Sequence, residues 1–485
     1  MLNQRFPRLL ENPNKNLPLY VDLDGSLIYS DLLLESFLLL VKKNFLYIFA
    51  TPFWLLSGRA NLKHQIAMRV DLQTDVLPYN NNFVTYLERE KASGRQLTLI
   101  SASNQKLVSQ VAEHVALFDN AIGSSDKLNL KGKEKLNQIE KFSNPDGFVY
   151  AGDSESDLPI WAAAKEALLI NCTETLRIKL STCNAEITSI GRKSNWLEHF
   201  VRAIRPHQWL KNLLVFLPLI LSHQLNESSL FLQSVLAFIS FSLCASSVYL
   251  LNDLLDLNND RRHPSKHKRP FAAGNLSLVA GFLGSPLMLF LALLIALSLP
   301  ERFMATLLLY WFITTAYSLY LKRLIVIDVF ILASLYSLRI VAGSTAIAVT
   351  TTFWLLAFSI LLFISLAIVK RVTELKNLKT SGQQNIAGRG YTMSHHDLLS
   401  VLGVGSGIAA VLVFTFYINS PTTQLLYSTP TVLYLICPLL FYILGRVWVL
   451  AKRGVLHEDP IIFAITDLQT QISVAVSGLV IWLAI

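Results

Sequence analysis

Two patterns of hydrophobic and polar positions divide the chain. Over residues 1 to about 195, short apolar runs (LYVDLDG, LTLISAS, FVYAGDS) stand between charged stretches of helical period. Such runs, bounded by polar turns, predict buried parallel strands alternating with helices. From about residue 205 onward, long apolar runs alternate with short polar ones. A spanning helix needs about 20 mostly apolar residues. Nine segments qualify: 207–223, 230–251, 277–298, 303–320, 324–347, 352–369, 400–419, 429–450 and 461–484. The pattern predicts a soluble α/β domain over 1–195 and an all-α membrane bundle of nine transmembrane helices over 196–485.

Composition agrees with membrane spans. The 485 residues are 52% hydrophobic and 15% charged, too apolar for one water-soluble body. The net charge of +9 is unevenly placed. Arg261, Arg262, Lys266, Lys268, Arg269, Lys322, Arg323, Lys370, Arg371, Lys376, Lys379, Arg389, Lys452 and Arg453 fall in the loops after the second, fourth, sixth and eighth segments. The intervening loops carry only Arg302. Basic loops face the cytosol, which predicts a cytoplasmic (inner) membrane protein with its N-terminal domain in the cytosol. The first twenty residues contain no apolar signal core, in agreement. An odd number of spans would put the C-terminus on the opposite face. The four cysteines form no ligand cluster, and no nucleic-acid motif is present.

The chemistry of the first domain centres on Asp22-Leu23-Asp24-Gly25-Ser26, directly after the strand-like LYV. Two carboxylates one residue apart at a strand end suit phosphoryl transfer. One can attack phosphorus, and the other can protonate the leaving oxygen and later activate water. Two anions approaching a phosphate need a cation, so Mg²⁺ is implied. Downstream stand LISAS with Ser101, GKEK with Lys133 and Lys135, and GDSESD with Asp153 and Asp157. In order and spacing these resemble the four motifs of haloacid dehalogenase (HAD) phosphatases. The resemblance covers about 1–190 and implies a HAD-like, Rossmann-like fold. It makes Asp22 the nucleophile and Asp24 the acid/base. Ser101 and Lys135 would hold phosphate, and Asp22, Asp24, Asp153 and Asp157 the metal. Lys133 competes with Lys135, which fits the GxxK spacing better. The apolar run 37–56 reads either as a helical cap with a buried face or as a cap resting on the membrane and admitting a lipid-linked substrate.

In the second domain the informative stretch is 252–270, NDLLDLNNDRRHPSKHKRP. Asp253, Asp256 and Asp260 are spaced to share one helix face. They repel each other there, at a helix C-terminus that disfavours anions. A cation is expected to compensate, and the basic residues after Asp260 suit a Mg²⁺-bound diphosphate. This stretch resembles the first aspartate-rich motif of the UbiA prenyltransferase superfamily. RPHQWLKN (205–212), YSLYLK (317–322) with Asp328, LRIVAG (338–343), KRVTEL (370–375) and EDP (458–460) narrow the likeness to its polyprenyl-phosphate phosphoribosyltransferase branch. That branch moves phosphoribosyl from phosphoribosyl diphosphate (PRPP) to a polyprenyl phosphate, such as the decaprenyl phosphate of cell-wall arabinan synthesis. By the resemblance, Asp253, Asp256 and Asp260 hold Mg²⁺ and the donor diphosphate. Lys211, Asn212, Lys266, Arg269, Tyr317, Lys322 and Arg339 contact phosphates. The superfamily's second aspartate pair is reduced to Asp328. Arg339, inside a predicted span, belongs to the site or pairs with a carboxylate such as Asp328. Glu374 and Asp467 carry the same two readings.

Three activities use these features differently. The first is a phosphoribosyltransferase with a fused phosphatase. The second is an aromatic prenyltransferase taking a polyprenyl diphosphate and a quinone-type acceptor. The third is a carrier of lipid-linked groups. The density of cations after Asp260 and the single Asp328 favour the first. A carrier has no use for clustered carboxylates beside a basic loop.

Overall fold

A computed structural model describes residues 16–143, 145–180, 186–191, 195–381, 390–454, 456, 463 and 466–485. Contacts divide the chain into two units: Met1–Ala203 with Asp253–Leu283, and Ile204–Asn252 with Gly284–Ile485.

The first unit is built on a six-stranded parallel sheet, β1 Leu19–Val21, β2 Leu97–Asn104, β3 Asn120–Ser124, β4 Val149–Gly152, β5 Glu166–Ile170 and β6 Glu186–Ile190. The spatial order is β3-β2-β1-β4-β5-β6. Sheets of this kind are covered on both faces, which explains why the strands read as continuous apolar runs. Leu19, Val21, Leu97, Leu99, Val149 and Ala151 pack on one side, and Tyr20, Ile100, Phe148 and Tyr150 on the other. Strand order reverses between β1 and β4, so a crevice opens beyond their carboxyl ends. Asp22 and Asp153 stand there, at the two strand exits.

Between β1 and β2 run helices α1 Leu32–Lys43, α2 Tyr47–Leu56, α3 Arg59–Ala67 and α4 Asn81–Ala92. Asp31 caps α1 by accepting from the Leu34 N–H, and Asn80 caps α4 by accepting from Phe83. The 253–283 stretch is fastened to this region. Arg261 donates twice to Glu35 of α1, at 3.1 and 2.5 Å, and once to the Ala272 carbonyl at 3.2 Å. Arg262 meets Asp75 at 3.1 Å, and Asn258 meets Gln73 at 3.2 Å.

The second unit is helical. Over the two units, six helices among the described residues are long and apolar enough to cross a membrane: Ser228–Leu255, Leu278–Ala296, Ile327–Ala346, Phe353–Lys376, Met393–Ile418 and Pro430–Arg453. The expected count of nine is therefore not reached. The segment 207–223 is not one helix: a run of 3-10 turns, Pro206–Phe216, gives way to a short helix, Leu217–Leu221. Pro206 and Pro218 each remove a backbone donor, which favours such short pieces. Glu301–Leu319 is a 19-residue helix whose Thr306, Thr314, Thr315 and Ser318 make it less apolar. Leu468–Ala484 has 17 residues. Gly343 of LRIVAG lies against the Val215 carbonyl, where a Cβ would clash, so the broken segment can approach that helix closely. Large apolar side chains such as Leu287, Phe290, Phe312, Leu412 and Phe416 remain exposed, as a lipid-facing surface requires.

Leu99 is fully buried on β2, beside the central strand. Leu99→Ala should destabilise the first unit by about 2–5 kcal/mol. The urea concentration at which this unit loses protease resistance should fall. An unchanged midpoint would contradict the described core.

Candidate active sites

In the first unit, the strand ends gather Asp22, Lys135, Asp153 and Asp157. Lys135 Nζ lies 2.9 Å from Asp22 Oδ1, 3.0 Å from the Tyr150 hydroxyl and 3.8 Å from Asp157 Oδ1. Tyr150 donates in turn to Asp157 at 2.9 Å. Lys135 is buried in the first turn of its helix, whereas Lys133 is exposed. Carboxylate oxygens of Asp22, Asp153 and Asp157 lie within 4.8 Å of one another. Burial pushes the Asp22 carboxyl up to about 7, with Asp157 and Asp24 adding to the rise and Lys135 opposing it. Burial alone would lower the Lys135 pKa, but Asp22 and Asp157 reverse this and raise it. One lysine thus faces several carboxylates. A divalent cation with oxygen ligands would restore the balance and draw Asp22 back into the ionised range.

Asp24 stands apart from that cluster. Its Oδ2 accepts from Ser101 at 3.1 Å and Ser103 at 2.8 Å, and its Oδ1 from the Leu32 N–H at 2.8 Å. Its carboxylate therefore lies outside the group formed by Asp22, Asp153 and Asp157. Gly25 sits at φ +79° with the Asp153 carboxylate where a Cβ would be, so glycine is required there. Two participants went unnoticed in the sequence. Ser103 lies two residues past Ser101 on the same strand side. Tyr150 lies in β4, where every residue is buried, and reads as ordinary core.

The aspartate-rich loop departs from the expected continuous helix. The helix ends at Leu255, Asp256 takes up φ −101° and ψ 13°, and a short helix runs Leu257–Arg262. The three aspartates therefore do not share one face. Asp253 and Asp260 are buried and converge on one guanidinium nitrogen: Arg269 Nη1 lies 3.1 Å from the first and 2.6 Å from the second. Asp256 instead has Lys42 at 3.8 Å. Burial raises the Asp260 pKa, which Arg269 counters and Asp253 reinforces. Of the cations after Asp260, Arg261 and Arg262 are engaged by Glu35 and Asp75, while Lys266 is half-buried and Lys268 exposed.

In the second unit, Arg339 is buried and donates to Asn212 Oδ1 at 2.8 Å, to the Leu335 carbonyl at 2.6 Å and to the Tyr310 hydroxyl at 3.2 Å. Rings of Phe241, Tyr310 and Tyr336 surround it at 5.6, 5.2 and 5.1 Å. Asp328 is not its partner. That carboxylate accepts from Arg371 at 2.7 Å and from the Tyr391 hydroxyl. Arg371 also holds Glu374 at 2.6 Å and donates to the Tyr317 hydroxyl at 3.2 Å. Arg371 is fully buried within the helix Phe353–Ser381, so its placement in a cytoplasmic loop is corrected. Asn212 also donates to Ser242 at 2.9 Å. Lys211 is buried, with its ammonium 5.9 Å from the centre of the Tyr336 ring, and Lys322 is half-buried. Asp467 pairs with Arg446 at 3.0 Å and caps the last helix. Glu458, Asp459 and Arg389 lie outside the described residues.

The sequence profile of the UbiA prenyltransferase family matches residues 213–465, more than half of the chain. The chain belongs to the UbiA prenyltransferase family. An uncharacterized protein of Sinorhizobium fredii, y4nM, is 36% identical over 458 residues, 94% of this chain and 88% of that one. Nodulation protein NoeC of Azorhizobium caulinodans is 35% identical over 268 residues, 55% of this chain and 87% of that one. A decaprenyl-phosphate phosphoribosyltransferase of Mycolicibacterium smegmatis is 30% identical over 196 residues, 40% of this chain and 62% of that one. The match to this last enzyme thus spans less than two thirds of its length. Within this UbiA-family chain, the matched stretch contains the aspartate-rich loop, Arg339 and Arg371, while Asn212 lies just before it.

Removing Arg371 would leave Asp328 and Glu374 without their shared cation. Arg371→Met should therefore destabilise the second unit by about 3–5 kcal/mol. The melting temperature in detergent should drop, and the added substitution Asp328→Leu should recover part of it. An unchanged melting temperature would contradict a buried ion network.

Proposed function

We propose that this UbiA-family enzyme transfers phosphoribosyl from PRPP to a polyprenyl phosphate, and that its N-terminal domain then removes the 5-phosphate. The observation that carries the transfer is the convergence of buried Asp253 and Asp260 on Arg269, in one loop that also carries Lys266 and Lys268. The guanidinium occupies a place where two carboxylates call for positive charge. A Mg²⁺-bound diphosphate brings such charge, and its phosphates would in turn receive Arg269 and the lysines. The likeness to decaprenyl-phosphate phosphoribosyltransferases supports this donor and acceptor over a prenyl diphosphate and an aromatic acceptor.

In the transfer, the bond from ribose C1 to the diphosphate breaks and the pyrophosphate leaves with the electron pair. Cations of the loop stabilise that leaving charge. An oxygen of the polyprenyl phosphate then supplies the pair that forms the new bond to C1. No side-chain nucleophile is required. Arg339, Asn212 and Lys211 are the candidate groups of the second unit for holding phosphate.

The product keeps a phosphate on ribose C5. In the N-terminal domain, an Asp22 oxygen attacks that phosphorus and the bond from phosphorus to the C5 oxygen breaks. Asp24 delivers the proton to the departing oxygen, then takes one from the water that hydrolyses the aspartyl-phosphate. Lys135 and Ser101 steady the phosphate oxygens. Mg²⁺ held by Asp22, Asp153 and Asp157 would supply the charge that lets an anionic nucleophile approach an anionic phosphate. Both reactions are assigned to the cytosolic face of the inner membrane.

Asp253→Asn should lower transfer by at least about 100-fold while leaving the melting temperature unchanged, because the amide keeps the shape and removes the charge. Wild-type turnover would sink the assignment. Asp22→Asn should still transfer but accumulate the phosphorylated lipid-sugar, from which the wild type releases inorganic phosphate. Identical phosphorylated products from both would exclude the second step.

A further inference from the structure

α2 has no part in either reaction, yet it carries a dense run of exposed apolar side chains among the described residues of the first unit. None of its side chains is buried. Phe49 is 66% exposed, Phe53 70% and Leu56 85%, with Phe45, Leu46, Ile48 and Leu55 exposed beside them. The opposite face is fixed. Tyr47 and Trp54 pack ring to ring at 5.9 Å, and the Arg69 guanidinium lies 4.8 Å from the centre of the Trp54 ring. The helix therefore cannot turn its apolar band inward. A contiguous surface of this kind marks an interaction site. Ten residues make a helix of about 15 Å, too short to span a bilayer.

The neighbouring helix indicates what covers it. α1 packs against the ends of two membrane-crossing helices within the same unit. Phe37 meets Phe282, near the start of Leu278–Ala296, at 5.9 Å between ring centres. Leu38 and Leu39 line a crevice with Leu254 and Leu255, at the end of Ser228–Leu255. Only three residues separate α1 from α2, so α2 lies close to where these helices leave the bilayer. Exposed Lys43 precedes it and exposed Arg59 follows it. Cations flanking an apolar face suit anionic headgroups around lipid tails.

We propose that α2 lies in the membrane interface, with Phe45, Phe49, Phe53 and Leu56 among the lipid chains and Lys43 and Arg59 at headgroup phosphates. Its position also selects the substrate class of the Asp22 site. α3, joined to α2 by a two-residue turn, brings Lys63 Nζ within 2.5 Å of the Ala102 carbonyl and 2.8 Å of Asn129 Oδ1, beside the end of β2. The hairpin thus links the bilayer surface to the strand ends that carry Asp22. A phosphate borne on a lipid reaches that site without leaving the membrane. This second part rests on the phosphatase reading above.

The full chain, with its four native cysteines replaced by alanine, is reconstituted in nanodiscs of phosphatidylcholine and phosphatidylglycerol. Bimane is placed at Phe49→Cys, Phe53→Cys, Leu56→Cys and, as a solvent control, Glu88→Cys. Doxyl-labelled lipid should quench the first three at least about twofold more than the control, and aqueous iodide should do the reverse. Free access of iodide to all four sites overturns the proposal. Protection from both quenchers at the three α2 sites also overturns it, since protein would then cover the face. Phe49→Glu with Phe53→Glu should cut kcat/KM for a lipid-linked phosphate by about tenfold and leave p-nitrophenyl phosphate hydrolysis unchanged. Equal rates on the lipid substrate overturn the substrate assignment. If the wild type hydrolyses neither compound, the phosphatase reading fails, and with it the substrate class, while the quenching still decides whether α2 meets lipid.

Discussion

A carboxylate withdrawn from water must be met by a cation or give up its charge, and the functional parts of this chain are organised around that constraint. Lys135 stands among Asp22 and Asp157, Arg269 between Asp253 and Asp260, and Arg371 among Asp328 and Glu374. Glu35 and Arg261 answer each other. These groups differ in how far the balance is closed. Arg371 is fully enclosed, bonded to two carboxylates and the Tyr317 hydroxyl, while the Tyr391 hydroxyl closes off Asp328, which suits a fixed structural part. At Asp22 the carboxylates outnumber the single lysine, and the raised pKa registers the deficit. An incomplete balance of this kind is what a site for a metal and an anionic substrate requires.

The same constraint fixes the aspartate-rich loop. Its cations divide into those drawn to the helices after β1 and those that stay within the loop. Arg261 is drawn into a nearly solvent-free pair with Glu35, and Arg262 to Asp75. Their charge is used in fastening the loop to α1 and its neighbours. Arg269 is held between Asp253 and Asp260, and it is this cation, with Lys266 and Lys268, that the proposed diphosphate would meet. The Glu35 carboxylate also accepts from Ser30 at 2.6 Å, and the Ser30 carbonyl accepts from Gly25 at 3.3 Å. A bonded path therefore runs from the loop after β1 to the loop that carries Asp260. In y4nM, alignable over 94% of this chain, both halves have counterparts.

Some of this was legible in the sequence and some was not, for physical reasons. Asp22, Lys135, Asp153 and Asp157 could be named because strand ends place short motifs in one crevice whatever the rest of the domain does. Asp253, Asp260 and Arg269 could be grouped because they lie close along the chain. The pair Glu35–Arg261 could not, since its members are 226 residues apart. Arg371 misled because a basic residue after an apolar run looks like the edge of a membrane span. The helix continues past it to Ser381, and the guanidinium turns inward to Asp328. The break at Asp256 and the broken course of 206–221 were also hidden, because apolar length predicts burial but not whether the backbone stays helical.

The central claim is that one chain moves phosphoribosyl to a lipid phosphate and then trims it. It is tested most directly with PRPP carrying ¹⁴C at ribose C1 and ³²P at the 5-phosphate, incubated with the full chain, a polyprenyl phosphate and Mg²⁺ in detergent. The account predicts that ¹⁴C enters the lipid fraction while ³²P is released as inorganic phosphate. It would be contradicted if neither label entered the lipid while a polyprenyl diphosphate was transferred to an aromatic acceptor under the same conditions.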